Sequence, residues 1–174
     1  MLLEWGMKAI CLRARGGPEA LAYHEAQQPR PGEGEVLVRV HAAGVIHTEL
    51  SWVPTWTTRA GEPRPLPVIP GHEFSGEIAA LGAGVRDAGV GDLVYRLNDW
   101  YWDGASAEYC VARVADIAHK PASVDHVHAA ATPISALTSW QGLVERAGLA
   151  AGQRVLIHGP ALSFRMIYTR AREA

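Results

Sequence analysis

The hydrophobic period of this chain changes once, and that change constrains the fold more than any other feature. Between residues 35 and 45, Val36, Val38 and Val40 alternate with Leu37, Arg39 and His41. A period of two is that of a strand with one apolar face. Between residues 134 and 147, Ile134, Leu137, Trp140, Val144 and Ala147 recur every three or four positions, the stripe of an amphipathic helix. Gly148 stands where such a helix would end. Ahead of the change lie further short strand candidates at 7–12, 21–25, 73–81, 92–97, 105–112 and 115–119. They are punctuated by Pro29, Pro31, Gly32 and Gly34, and again by Gly82, Gly84, Gly89 and Gly91. Many short strands at close spacing predict a barrel or sandwich. Beyond a turn at Gly152, residues 154–158 read as one more apolar strand.

One segment resists this pattern. Pro54, Pro63, Pro65, Pro67 and Pro70 fall within a stretch that follows Trp52 and includes Trp56. It reads as a long irregular loop, a kind of loop that is often functional. Residues 47–51 just before it could open a short helix with Thr48 as its cap.

Composition narrows the class of protein. The chain has 174 residues, 48% of them hydrophobic and 20% charged, with a formal net charge of −2. That balance suits a soluble globular domain and gives no reason to expect nucleic acid or an anionic membrane as partner. No apolar run reaches the roughly 18 residues that span a bilayer. The N-terminus lacks a secretory signal, and Met7 is an alternative start. Cys11 and Cys110, far apart in sequence, read as reduced thiols of a cytoplasmic protein.

Several segments, in order, resemble the medium-chain dehydrogenase/reductase family. They are Met7-Lys8-Ala9-Ile10, Gly32-Glu33-Gly34-Glu35-Val36-Leu37-Val38-Arg39-Val40 and Ala42-Ala43-Gly44-Val45. They continue through Pro70-Gly71-His72-Glu73-Phe74-Ser75-Gly76, Val90-Gly91-Asp92-Leu93-Val94 and Arg154-Val155-Leu156-Ile157-His158-Gly159. The resemblance implies a mainly β fold with some α. Residues 7–132 would form a GroES-like, partly open β-barrel catalytic domain. Residues 133–174 would supply only the connecting helix and first strand leading into a Rossmann domain, with the active site between the two domains.

The resemblance also bears on metal. The zinc-dependent branch carries a cysteine after the Gly-Val strand end, where Ile46 stands here. Its second ligand is the histidine matched by His72. Its third falls near the start of the later helix, where Ile134 stands. A catalytic zinc wants three protein ligands, and a four-cysteine structural lobe is also missing, so the expectation is no zinc. His126 and His128, two residues apart on a helix, face different ways and read as solvated or capping histidines.

What remains points to NADPH as hydride donor and to a quinone or activated enone as acceptor, by analogy with zinc-independent relatives. Thr48 aligns with a proton-relaying hydroxyl, although a helix cap explains it equally. Glu49 and His72 would pair, either as a structural contact or as a proton donor tuned by its carboxylate. His47 aligns with a position near the cofactor pyrophosphate, against a solvent-exposed alternative. Thr138 aligns with a threonine near the nicotinamide, against an ordinary helix-face hydroxyl. Ile46, Ile134 and the aromatic rings of Trp52, Trp56 and Trp100 would line the substrate pocket. Trp140, on the helix stripe, is expected to pack. A homodimer is compatible with the resemblance.

A Rossmann domain needs a glycine-rich turn after its first strand. No glycine occurs from 160 to 174. Those residues read as out-of-frame or prematurely terminated sequence. The competing readings are a zinc-dependent alcohol dehydrogenase and a non-catalytic GroES-like binding module.

Overall fold

A computed structural model describes residues 6–46 and 48–156. Two antiparallel sheets make up the β part. β1 (Gly6–Leu12) and β2 (Leu21–Gln27) form a hairpin in continuous register from Gly6↔Gln27 to Leu12↔Leu21. The larger sheet contains β3 (Glu35–Ala43), β4 (Glu73–Leu81), β5 (Leu93–Leu97), β6 (Tyr109–Arg113) and β7 (Ala118–His119), in the order β6-β3-β4-β5-β7. The hairpin is tied to the rest through single bridges from Ala9 to Ala107 and from Leu12 to Val68. The sheets approach each other without closing, which is the partly open barrel expected from the sequence.

The alternation in β3 explains the core. Val36 and Val38 are fully buried, and with Phe74, Ile78, Val94, Ala105, Cys110 and Ala112 they form the main apolar cluster. Leu37 is buried as well, so the middle of β3 is covered on both faces. Burial pushes the Cys110 thiol up to about 12, which keeps it an inert apolar filler. At Gly76 the neighbouring strand comes so close that a Cβ would overlap the Arg39 carbonyl and the Val38 side chain. β3 also carries register shifts at Leu37/Val38 and Val40/Ala42. Such bulges bend a strand and help a sheet to curl.

β4 has two working faces. Phe74 and Ile78 point into the core. Glu73 and Ser75, on the opposite face, meet the helices. Helix α1 (Val53–Trp56) lies in the proline-rich segment. Helix α2 (His126–Ala130) starts at Asp125, whose carboxylate accepts the His128 backbone N–H. That bond holds the Asp125 carboxyl below the usual range. His128 also turns its ring to Asp125 at 2.8 Å, an exposed contact.

His126 is more than a solvated histidine. Its Nδ1 lies 2.8 Å from Ser75 Oγ, and its ring stacks on His41 with centroids 4.4 Å apart. The Ser75 hydroxyl donates to the Val94 carbonyl, so it accepts from His126 Nδ1–H, and Nε2 is the nitrogen that gains a proton in acid. Burial, then His41 and Lys120, depress the His126 pKa below the ordinary imidazole value, against the opposing pull of Asp125 and Glu77. A depressed folded-state pKa gives stability that is present above the unfolded value and lost as pH falls through the folded one. Thermal unfolding across a pH series should therefore show a loss below about pH 6.5 that is smaller in His126→Asn. Identical pH slopes for the two proteins would refute this.

Four expectations are corrected. Residues 105–112 do not form one strand: β6 begins at Tyr109, and Ala105 and Ser106 instead bond to Gly71 and Pro70. Residues 115–119 split into a 3-10 turn (Val114–Asp116) and the two-residue β7. Trp140 does not pack inside, being 52% exposed, as Leu137 is at 44%. Helix α3 (Pro133–Trp140) passes into a π-helical turn, Gln141–Arg146. The wider turn rotates the stripe, so the buried residue is Leu143, one position before Val144. Gly148 does take a positive φ of 63° after this turn. Of the strand expected at 154–158, residues 154–156 are exposed and not in a strand. The rest of that strand, the glycine-poor stretch from 160 to 174 and His47 lie outside the described residues.

Candidate active site

The short turn between Ile69 and β4 sets the site. Gly71 has a φ of 94°, and a Cβ there would crowd Ser106 Oγ. Only glycine takes such a conformation without strain. The 104–106 segment clamps the turn from outside: Gly104 N–H donates to Ile69 O, Ala105 N–H to Gly71 O and Ser106 N–H to Pro70 O. A Cβ on Gly104 would overlap the Pro70 and Gly71 carbonyls. Buried Asn98 holds the turn from the far side by donating its N–H to the His72 carbonyl.

Against this fixed turn sits Glu49, in a single 3-10 turn (Glu49–Ser51). Glu49 is 3% exposed and His72 2%. Glu49 Oε1 lies 2.7 Å from His72 Nδ1 and accepts the Gly71 N–H at 2.8 Å. A carboxylate only accepts, so Nδ1 is the protonated nitrogen of the ring. His72 Nε2 is buried and has no hydrogen-bond partner among the described residues. Buried polar atoms are normally paired, which marks this nitrogen as a place for an incoming group.

Aromatic rings cover the pair. Trp100 lies over His72 with centroids 5.1 Å apart, and Trp52 meets Trp100 edge-on at 5.0 Å. Both tryptophans are half-buried. Trp56 belongs elsewhere: its Nε1–H donates to the Leu50 carbonyl at 2.7 Å, and Arg15 lies over its ring. It packs the 49–56 segment and takes no part in the His72 cluster. Thr48 occupies the position before the 3-10 turn, but its side chain makes no capping bond, and the residue is exposed. Its hydroxyl is thus not spent on the helix end.

The structure adds Glu73, a residue quoted in the sequence motif but given no role. It is 6% exposed, and its Oε2 accepts the Ile134 N–H at 3.0 Å. Burial pushes its carboxyl up from the ordinary range, the Ile134 N–H opposes this, and Glu49 adds to it. The available signal was its place next to His72 in the 70–76 motif. Ile46 and Ile134 are half-buried. Thr138 is exposed on α3 beside exposed Leu137 and Trp140, a hydroxyl and apolar surface suited to a planar heteroaromatic ring.

Among the described residues no three His, Cys, Asp or Glu are placed to hold a metal. His72 Nε2 is one donor where a catalytic zinc takes three from the protein, and isoleucine occupies positions 46 and 134. Among the same residues no helix is long and apolar enough to cross a membrane.

The chain is similar to several known proteins. The family model for the alcohol dehydrogenase GroES-like domain matches residues 32–122. A chloroplastic quinone-oxidoreductase of Triphysaria versicolor is 32% identical over 135 residues, covering 77% of this chain and 40% of that protein. The solved quinone oxidoreductase from Coxiella burnetii superposes with a TM-score of 0.84 at 27% identity, covering 97% of this chain and 54% of that one. A mycobacterial protein solved with NADPH superposes at 0.70 with 33% identity, covering 84% of this chain and 42% of that one. The chain thus spans about half or less of the length of each of these relatives.

Proposed function

Since the chain belongs to the medium-chain dehydrogenase/reductase family, in its quinone-oxidoreductase-like branch, we propose that it is the substrate-binding part of an NADPH-dependent reductase of quinones and activated enones that works without zinc. The observation that carries this reading is the His72 imidazole, held by Glu49 and faced by Trp100. A flat aromatic wall beside a hydrogen-bonding ring suits a planar conjugated carbonyl. The relatives described as quinone oxidoreductases and the neighbour solved with NADPH support the same choice.

NADPH, when bound, supplies the hydride. In this reading Thr138 meets the nicotinamide ring and His47 the pyrophosphate. Trp52 and Trp100 hold the substrate plane, and Ile46 and Ile134 close the pocket. Thr48 gives a hydrogen bond to the substrate oxygen as negative charge develops there. Glu49 keeps the proton on His72 Nδ1, which orients Nε2 toward an incoming polar group. A conjugated acceptor spreads the developing charge and so tolerates the loss of a Lewis acid. The domain division at 132/133 and a cytoplasmic setting are part of the same proposal, the latter supported by two free, buried cysteines.

The test is NADPH titration of the purified chain, following nicotinamide fluorescence and tryptophan quenching. Quinone-dependent NADPH consumption with and without a chelator follows. Saturable quenching in the micromolar range, typical of substrate and cofactor affinities, with turnover indifferent to chelation would support a cofactor site within this chain and the zinc-independent reading. Activity lost to the chelator and restored by zinc would replace this reading with that of a zinc alcohol dehydrogenase. Neither binding nor turnover would mean that this chain, about half or less of its relatives' length, does not carry the reaction alone.

A further inference from the structure

The helix-facing side of β4 carries two polar posts two residues apart. Ser75 receives His126 of α2, and Glu73 receives Ile134 at the start of α3. Glu73 is seated from below as well. Its backbone carbonyl accepts the Gly44 N–H at 2.8 Å, and its side chain lies so close over Gly44 that any Cβ there would overlap it. One residue earlier, His72 turns the other way, toward Glu49. The start of β4 therefore grips two different segments with successive side chains.

Ile134 is the second residue of α3, after Pro133. The first N–H groups of a helix have no acceptor within it. The Ile134 N–H thus depends on Glu73 for its bond, and a carboxylate at a helix N-terminus is also electrostatically favoured. We propose that Glu73 is a positioning residue: seated on Gly44, it clasps the first turn of α3 and fixes Ile134 relative to the end of β3 that leads to Ile46. It rests on the reading above only in taking these two isoleucines as pocket walls. The clasp does not touch substrate, and it acts on the pocket through the two residues that it holds in place.

The test is amide hydrogen exchange by NMR on the 174-residue chain. In Glu73→Ala the Ile134 amide should exchange more than about tenfold faster, the loss of a hydrogen bond to a charged group. The Val38 and Ile78 amides of the core strands should stay protected, showing that the barrel is intact. Glu73→Gln keeps an acceptor oxygen and should restore slow exchange at Ile134. The methyl resonance of Ile134 should move in the alanine variant and return in the glutamine one. Unchanged Ile134 protection in Glu73→Ala, or failure of Glu73→Gln to restore it while the core amides stay protected, would overturn the proposal. If Glu73→Ala does not fold, the glutamine variant decides by the same two signals. NADPH and quinone play no part in these signals, so a failed turnover assay and a failed clasp are distinguishable.

Discussion

Glu49→Ala is expected to destabilise the folded protein by about 2 to 6 kcal/mol, because it leaves two buried donors unpaired at roughly 1 to 3 kcal/mol each. Glu49 Oε1 serves two donors at once, Gly71 N–H and His72 Nδ1–H. Alanine leaves both donors buried and unpaired, and each such group carries a desolvation penalty. Because Gly71 is part of the turn that aims His72, the loss should also be visible at the ring that Trp100 covers. Urea unfolding followed by tryptophan fluorescence reads it as a lower midpoint at unchanged slope. Glu49→Gln should cost much less, because an amide oxygen has two lone pairs and can keep both donors. The paired substitution Glu49→Leu with His72→Phe removes donor and acceptor together. It should be more stable than the sum of the two single changes predicts, the signature of a direct coupling. Purely additive single and double variants would show that the pair carries no shared energy.

Much of this was legible before the structure. The alternation of Val36, Val38 and Val40 fixes β3 because one buried face and a period of two leave a single register, and the observed strand ends within two residues of the expected one. The motif 70–76 pointed to His72, and the acidic residue near it was Glu49. Other features depend on contacts that no local pattern encodes. Trp56 and Trp100 look alike in sequence, yet Trp56 spends its N–H on Leu50 while Trp100 faces His72. In α3 the buried residues are Pro133 and Ser139, so the regular stripe of Leu137 and Trp140 faces outward, and the π-helical turn at Gln141–Arg146 breaks the 3.6-residue count only after it. Glu73 acts through a residue 61 positions away, a distance over which periodicity says nothing. Ser75 and His126, 51 positions apart, pair across the same strand face, and a lone histidine on a helix gives no sign of it.

The barrel itself should fail most severely at Phe74. The side chain is completely buried among Val36, Val38, Ile78, Val94 and Cys110, on the face of β4 opposite to the helices. Phe74→Ala should cost about 3 to 5 kcal/mol, the sum of the lost transfer energy and the cavity left behind. The cavity should not collapse cheaply, because at Gly76 β4 already lies too close to β3 to admit even a Cβ. Phe74→Leu keeps most of the volume and should recover a large part of the loss. Both Phe74→Ala and Glu49→Ala lower stability, but the protected amides should separate them. The core substitution should lower protection in β3, β4 and β6 together, because those strands share the cluster. The Glu49 substitution should first release the Gly71 amide, whose acceptor it removes. Native-state hydrogen exchange under mild denaturant resolves the two patterns. If Phe74→Ala released only β4 while β3 and β6 stayed protected, the sheet would not be one cooperative unit. The site would then rest on the local turn at residues 69–72 and not on the barrel behind it.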